Sequence, residues 1–179
     1  MKIGFCGTMC VGKTTLVNAL KELPEFKDYT FRTERSKYLR DLGIPLNTDS
    51  TLKGQTIFLA ERATELMKKN IITDRTVIDV MAFSSKSKTI FPQEKKDFEK
   101  LASNLIREYD YIFYIPSKGI PIENNGVRTT DPIYRESIDL QIQQLLIKYS
   151  HNIGTLTELK GNTEERINQI KQTIFPPYL

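Results

Sequence analysis

Eight residues near the start of the chain, Gly7 to Thr14, follow the pattern G-x-x-x-x-G-K-T. Residues 2–6 form a short, mostly apolar run that is typical of a buried parallel strand, and a helix is predicted to open at Thr15. In such a strand–loop–helix unit the loop amides and the helix dipole converge on phosphate oxygens. The pattern predicts that Lys13 reaches the β- and γ-phosphates and that Thr14 coordinates Mg²⁺. The sequence therefore indicates binding of a nucleoside triphosphate.

The predicted phosphate-binding residues are the whole loop and the start of its helix. They are Gly7, Thr8, Met9, Cys10, Val11, Gly12, Lys13, Thr14 and Thr15.

A second group of residues whose side chains could bind a metal or a phosphate follows the apolar run 71–73. A carboxylate at a strand end beside a triphosphate can hold Mg²⁺ or its water shell, so Asp74 joins Thr14 as a predicted metal ligand. The alternative for Asp74 is to cap the next helix. Arg75 is predicted to neutralise the transferring phosphoryl group, with an ion pair to Asp79 as the alternative. Asp79 itself suits either an acceptor hydroxyl or that ion pair.

Apolar runs and helical stretches alternate along the chain, which predicts an α/β protein. We expect one P-loop domain over residues 1–179, with a three-layer fold and a mainly parallel sheet of about five strands flanked by helices. The expected strands are 2–6, 29–33, 71–73, 111–115 and 155–159. The expected helices after the first are 36–42, 51–70, 77–85, 93–109, 134–150 and 163–174.

One irregular stretch, residues 117–132, is rich in Gly, Asn and Thr. A loop of this length inside a domain is usually functional, and we interpret residues 117–135 as a lid that closes over the site. Arg128 and Arg135 lie on it or just past it. Both are predicted to reach the phosphates when the lid closes.

Composition narrows the class of protein. The net charge of +4 is mild and much of the charge alternates in sign, as on a solvated helix face, so nucleic-acid binding is not required. No run of 18 apolar residues is present, and no membrane partner is expected. Cys6 and Cys10 are expected to remain unpaired, which fits a reducing cytoplasm.

Missing motifs exclude several classes of triphosphate-binding protein. The sequence lacks the Asp-x-x-Gly and Asn-Lys-x-Asp elements of GTPases and the Leu-Ser-Gly-Gly-Gln signature of ABC-type ATPases. Asp74 is followed by Arg75, whereas motor and remodelling ATPases typically place Asp-Glu there. What remains is a kinase that phosphorylates a small molecule.

Three sets of residues carry a family resemblance: Gly7–Thr15, Thr73-Asp74-Arg75 with Asp79, and Asn125-Gly126-Val127-Arg128-Thr129. Together they resemble the small P-loop kinases of the nicotinamide riboside kinase-like (AAA-type ATP-binding) family. Thymidylate kinases and deoxynucleoside kinases are broader relatives. Glu34, after the second strand, and Gln55, in the following helix, match further family positions.

The resemblance implies ATP and Mg²⁺ as cofactors and a nucleoside or nucleotide as acceptor. It implies that Glu34 is the general base that takes the proton of the acceptor hydroxyl. This chain has Glu34-Arg35 where deoxynucleoside kinases usually have Glu-Pro, and Arg128 and Arg135 are seven residues apart instead of four. These departures leave the identity of the acceptor open.

Two alternatives stay open at this point. One is a kinase that acts on nucleic acid, at a 5′ end or on a modified base in DNA. The other is a non-catalytic ATP-binding regulatory protein whose lid recruits a partner. The oligomeric state is not indicated, with a homodimer as one option.

Overall fold

The computed structural model describes residues 1–33, 35–122 and 130–176. Its five strands form one parallel sheet in the order β2-β3-β1-β4-β5. The prediction of an α/β fold with a parallel five-stranded sheet is therefore confirmed. The strands are β1 (Lys2–Cys6), β2 (Thr30–Arg32), β3 (Ile71–Thr73), β4 (Tyr111–Tyr114) and β5 (Thr155–Glu158).

Helices cover both faces of the sheet. They are α1 (Lys13–Lys21), α2 (Ser36–Asp41), α3 (Leu52–Glu65), α4 (Val77–Ser85), α5 (Pro92–Ser103), α6 (Pro132–Lys148) and α7 (Thr163–Ile174). Apolar residues of α1 and α7 pack with Ile3, Phe5 and Phe113 on one face. Residues of α3, α4, α5 and α6 pack with Ile112 and Tyr114 on the other. Because side chains alternate along each strand, the sheet contributes to two separate cores.

Two helices end earlier than the sequence predicts. Helix α3 stops at Glu65 instead of residue 70. Beyond Glu65 the chain forms turns whose hydrogen bonds join residues three positions apart, such as Met67 N to Thr64 O. Met67 lies in this turn and is 84% exposed, so it is not part of the apolar face of the helix. Helix α5 stops at Ser103, where the Asn104 side chain donates to the carbonyl of Lys100.

Gly4 allows the central strand to lie close to α4. A Cβ at this position would come within 2.4 Å of the Thr76 methyl group and 2.8 Å of the Tyr109 ring.

Both cysteines are free thiols, as predicted. In the part of the chain that the structure describes, no helix combines the length and apolar character needed to cross a bilayer.

A buried ion pair within α3 is hydrogen-bonded to β3, the strand that precedes Asp74. The Arg62 side chain is 2% exposed, and its Nη2 donates to Glu65 Oε1 at 2.7 Å. Thr73 Oγ1, on β3, donates to the other oxygen of Glu65 at 3.2 Å. Burial raises the pKa of the Glu65 carboxyl above its ordinary value, and the charge of Arg62 opposes that rise.

Replacing Arg62 by alanine is expected to lower the free energy of unfolding by about 3–5 kcal/mol, because Glu65 loses its buried cationic partner. The loss should be smaller at about pH 5 than at about pH 7. Folding raises the pKa of Glu65, so the folded state holds its proton more tightly than the unfolded state. Stability from this group therefore falls as pH rises from 4.5 through the raised pKa. Urea unfolding at both pH values checks this.

The control is Lys148→Ala, which removes an exposed ion pair with Glu99. Its expected cost is below about 1 kcal/mol. Equal losses for the two variants would contradict the role given to the buried pair.

Candidate functional site

The loop between β1 and α1, residues 7–12, curves around a cleft at the carboxyl end of the sheet. Gly7, Cys10 and Gly12 have positive φ angles of 150°, 59° and 86°. A Cβ on Gly7 would lie 2.5 Å from the carbonyl oxygen of Ile115, so only glycine fits there. Gly12 is the N-cap residue of α1. The two glycines of the sequence pattern thus occupy positions where any other residue would strain the backbone.

Lys13 folds back onto its own loop. Its Nζ donates to the carbonyl oxygens of Gly7 at 2.6 Å and Thr8 at 2.7 Å. The side chain is 7% exposed at the floor of the cleft. Lys13 is therefore placed where an ammonium group can exchange loop carbonyls for phosphate oxygens.

Thr14 and Asp74 meet beside the loop, as the sequence predicts for a metal site. Thr14 Oγ1 donates to Asp74 Oδ2 at 2.5 Å. Asp74 is fully buried, and its Oδ1 has no hydrogen-bond partner among the described residues. A buried carboxylate oxygen of this kind is costly without a cation or ordered water, so this pair fits Mg²⁺. The alternative role for Asp74, capping α4, belongs instead to Thr76.

Asp79 is a structural anchor of the loop. Its Oδ1 accepts from the Gly7 amide at 3.1 Å, and its Oδ2 accepts from the amide and hydroxyl of Thr76 at 2.8 and 2.9 Å. These three hydrogen bonds connect the loop to the first turn of α4, and no ion pair joins Asp79 to Arg75 among the described residues. The neighbouring Cys6 thiol has its pKa raised by burial and by the charge of Asp79, and it stays protonated.

Arg135 lies beside the loop on the first turn of α6. Its Nε donates to Met9 O at 3.0 Å, its Nη2 to Cys10 O at 3.4 Å and its Nη1 to Ile120 O at 2.6 Å. The Thr8 hydroxyl in turn donates to the Arg135 carbonyl at 3.3 Å. The predicted contact of Arg135 with phosphate stays a prediction, because its guanidinium holds backbone carbonyls in this structure.

Arg166, on α7, is a site residue that sequence reasoning missed. Its Nη1 donates to Val11 O at 2.9 Å, and a Cβ on Gly12 would lie 3.3 Å from the same atom. The side chain is only 9% exposed, and burial lowers the pKa of its guanidinium. No local motif marks this residue, since an arginine in an amphipathic helix usually lies at the surface.

The loop forms one wall of a cleft of about 570 Å³, a size typical of a small-molecule site. Asp74 and Arg75 line it as well, and so does the turn 161–163, which precedes α7. The remaining lining residues beyond the loop and α1 are Ile120, Pro121 and Arg166.

A narrow second pocket adjoins the cleft at Arg75. Its volume is about 20 Å³, and it draws residues from α2, α3, α4 and the segment between α2 and α3. The guanidinium of Arg75 lies over the Phe83 ring, with Cζ 4.9 Å from its centre. The other lining residues are Ser36, Leu46, Asn47, Gln55, Phe58 and Val80.

Two predicted catalytic residues, Glu34 and Arg128, lie outside the described residues. The same holds for residues 123–129 of the predicted lid. Of its remainder, residues 132–135 belong to α6, which begins at Pro132 with Asp131 as N-cap.

Comparison with known proteins identifies the family of this chain. A model of the AAA domain family matches residues 2–166. The chain belongs to this AAA domain family. The thymidylate kinase of Campylobacter jejuni strain RM1221 is 28% identical to this AAA domain protein, over 96% of this chain and 98% of the relative. The thymidylate kinase of strain 81116 is 27% identical over the same shares.

Solved structures of similar fold include two kinds of protein. The deoxyadenosine kinase from M. mycoides with bound dCTP has a TM-score of 0.68 and 18% identity to this AAA domain protein, covering 97% of this chain and 98% of that one. The NadR protein in complex with NAD and AMP-PNP has a TM-score of 0.72 and 15% identity. That match covers 99% of this chain but half of the NadR chain. The predicted resemblance to small P-loop kinases, and the class of P-loop phosphotransferase, are confirmed.

Proposed function

We propose that this protein is a kinase that uses ATP and Mg²⁺ and transfers the γ-phosphoryl group to a nucleoside or nucleotide. The observation that carries the proposal is the position of Arg75, which lines both the phosphate-binding cleft and the narrow pocket. A donor triphosphate in the first, and the reacting hydroxyl group of an acceptor at the second, which at about 20 Å³ has room for a group of that size, would meet at this guanidinium. Phosphoryl transfer depends mainly on such positioning and on charge stabilisation.

The donor side of the site has a role for each described residue. The loop amides and Lys13 would hold the β- and γ-phosphates. Thr14 and Asp74 would hold Mg²⁺, which when bound neutralises charge on the phosphates. Arg75 would stabilise the charge that develops on the transferred group. Turn 161–163 would contact the adenine through its backbone.

On the acceptor side of the site, a base must remove the proton of the acceptor hydroxyl. The acceptor oxygen forms a bond to the γ-phosphorus while the bridging bond to ADP breaks, and the hydroxyl proton passes to a base. We assign that base to Glu34, because it follows β2 in the sequence and ligands bind near the carboxyl ends of strands in open α/β folds. We assign Arg128 to a lid, residues 117–135, that excludes water on closure.

The curated relatives support a nucleotide-type acceptor, since they are thymidylate kinases. The neighbouring fold of a deoxyadenosine kinase supports a nucleoside. Two arginines at and within α2, the helix whose Ser36 lines the narrow pocket, already contact carboxylates. Arg35 Nη1 lies 3.3 Å from Glu61 Oε1, and Arg40 Nη2 lies 2.9 Å from Asp41 Oδ1. This distribution favours an acceptor with little charge of its own, and therefore a nucleoside.

The test is transfer of labelled phosphate from ATP, with Mg²⁺ or with chelator, to a panel of acceptors. The panel holds thymidine, deoxyadenosine and nicotinamide riboside, the monophosphates of the first two, and a DNA oligonucleotide. We expect transfer to at least one nucleoside, dependent on Mg²⁺ and reduced by about a hundredfold or more in Glu34→Gln. The matched control is Glu22→Gln, beyond the end of α1.

Each other outcome has a meaning. Transfer to monophosphates alone would support the kinase and overturn the preference for nucleosides. Transfer to DNA alone, weakening with added salt, would indicate the nucleic-acid kinase. Tight ATP binding without transfer to any acceptor would indicate a regulatory protein and contradict the proposed activity.

A further inference from the structure

Basic side chains hold every carbonyl of the phosphate loop from Gly7 to Val11. Lys13 contacts the first two, Arg135 the next two and Arg166 the last. Arg135 comes from α6 and Arg166 from α7, so two helices far away in sequence converge on three consecutive peptide groups. Lys13 has an evident role with phosphate, but the two arginines do not.

The direction of these contacts fixes the direction of the loop amides. The described chain has no cis peptide bonds, and in a planar trans peptide the N–H points opposite to the C=O. When the carbonyls of Met9, Cys10 and Val11 are held by arginines, the amides of Cys10, Val11 and Gly12 are turned to the other side. A run of amides presented in this way forms an anion-binding nest.

Both arginines also bring charge that no carboxylate neutralises. Arg135 is 6% exposed and Arg166 is 9% exposed. Among the described residues neither forms an ion pair, and Arg166 Nε has no hydrogen-bond partner. A buried cation without a counter-ion is costly, and an anion bound in the loop would compensate it. A hydrogen bond from a cation also polarises the peptide group, which strengthens the opposite N–H as a donor.

We propose that Arg135 and Arg166 are positioning residues that hold the carbonyls of the phosphate loop outward and so preorganise its amides for a polyphosphate. This inference rests on the proposed function for the identity of the ligand. It gives Arg135 a role in the loop itself, in place of the lid contact with the γ-phosphate that the sequence suggests.

The affinities for three ligands distinguish this positioning role from direct contact of the arginines with the nucleotide. A positioning residue affects the binding of ADP, ATP and inorganic tripolyphosphate by the same factor, since all three use the nest. An arginine that contacts the γ-phosphate affects ATP but spares ADP. An arginine that contacts adenine affects ADP and ATP but spares tripolyphosphate.

The experiment measures calorimetric affinities for these three ligands in Arg166→Met, Arg166→Lys and Arg135→Met. We expect each methionine variant to weaken all three by about ten- to a hundredfold, the range for a lost charged hydrogen bond. Arg166→Lys retains one donor for Val11 and should recover part of the loss. Hydrogen exchange of residues 7–13 without ligand should quicken in the methionine variants, since the loop loses its restraint.

The controls are Lys171→Met on α7 and Lys148→Met on α6, which remove one charge from the same helices away from the loop. They should leave all three affinities unchanged. Unchanged ADP affinity in both arginine variants with intact folding would overturn the inference, as would losses confined to ATP or to adenine-bearing ligands. If the wild-type protein binds none of the three ligands, the proposed function fails instead.

Discussion

Replacing Lys13 by alanine is expected to abolish phosphoryl transfer to every acceptor, with a loss of at least about a thousandfold. The reason is local: the ammonium lies on the loop, 2.6 Å from Gly7 O, and no other described lysine lines the cleft. Rates with a saturating acceptor and titrated ATP measure the effect. Both the ATP affinity and the turnover number should fall, because the ammonium serves the bound and the reacting phosphates.

Lys21→Ala is the matched control for this change, since Lys21 lies in the last turn of the same helix. It should retain wild-type transfer. Melting curves without nucleotide check that the alanine variant, which loses the hydrogen bonds to Gly7 O and Thr8 O, is folded. Transfer that survives in Lys13→Ala would mean that the phosphate site is elsewhere.

Asp74→Asn is expected to reduce transfer by about a hundredfold or more and to raise the Mg²⁺ concentration needed for half-maximal rate. The amide keeps the shape of the side chain and can still accept the 2.5 Å hydrogen bond from Thr14. It removes the negative charge that makes the buried Oδ1 a ligand for a hard cation. Initial rates over a range of Mg²⁺ concentrations at fixed ATP measure both quantities.

Asp110→Asn serves as its control, because Asp110 accepts from the Lys2 amide at the opposite edge of the sheet. The Mg²⁺ dependence of that variant should match the wild type. An Asp74→Asn enzyme with unchanged Mg²⁺ dependence would remove Asp74 from the metal site.

The geometry of the loop 7–12 and the contact between Thr14 and Asp74 were predictable because short stretches of sequence encode them, whereas phosphate and Mg²⁺ binding there stay predictions. Glycine at positions 7 and 12 indicates backbone angles that other residues rarely adopt. Asp74 was predictable because it follows an apolar strand, and parallel strands deliver their carboxyl ends to one edge. The contact between Thr14 and Asp74 then follows from β1 and β3 being neighbours.

Other features depend on contacts between distant segments. Arg166 reaches Val11 across 155 positions, and nothing near it in the sequence announces that contact. The role of Asp79 had a local signal that was not used: Thr76-x-x-Asp79 is a capping-box pattern. Asp131-Pro132 likewise marks a helix start, which would have placed the first residue of α6 at 132 instead of 134. The early end of α3 had no such marker.

The folded-back position of Lys13 has a consequence for which anions the loop prefers. To be held by the ammonium, an anion has to compete with its contacts to Gly7 O and Thr8 O. A halide is one atom, so it offers the ammonium a single contact in exchange for those two. A phosphoryl group carries several oxygens and can replace both. Chloride should therefore compete poorly with a phosphoryl group for Lys13.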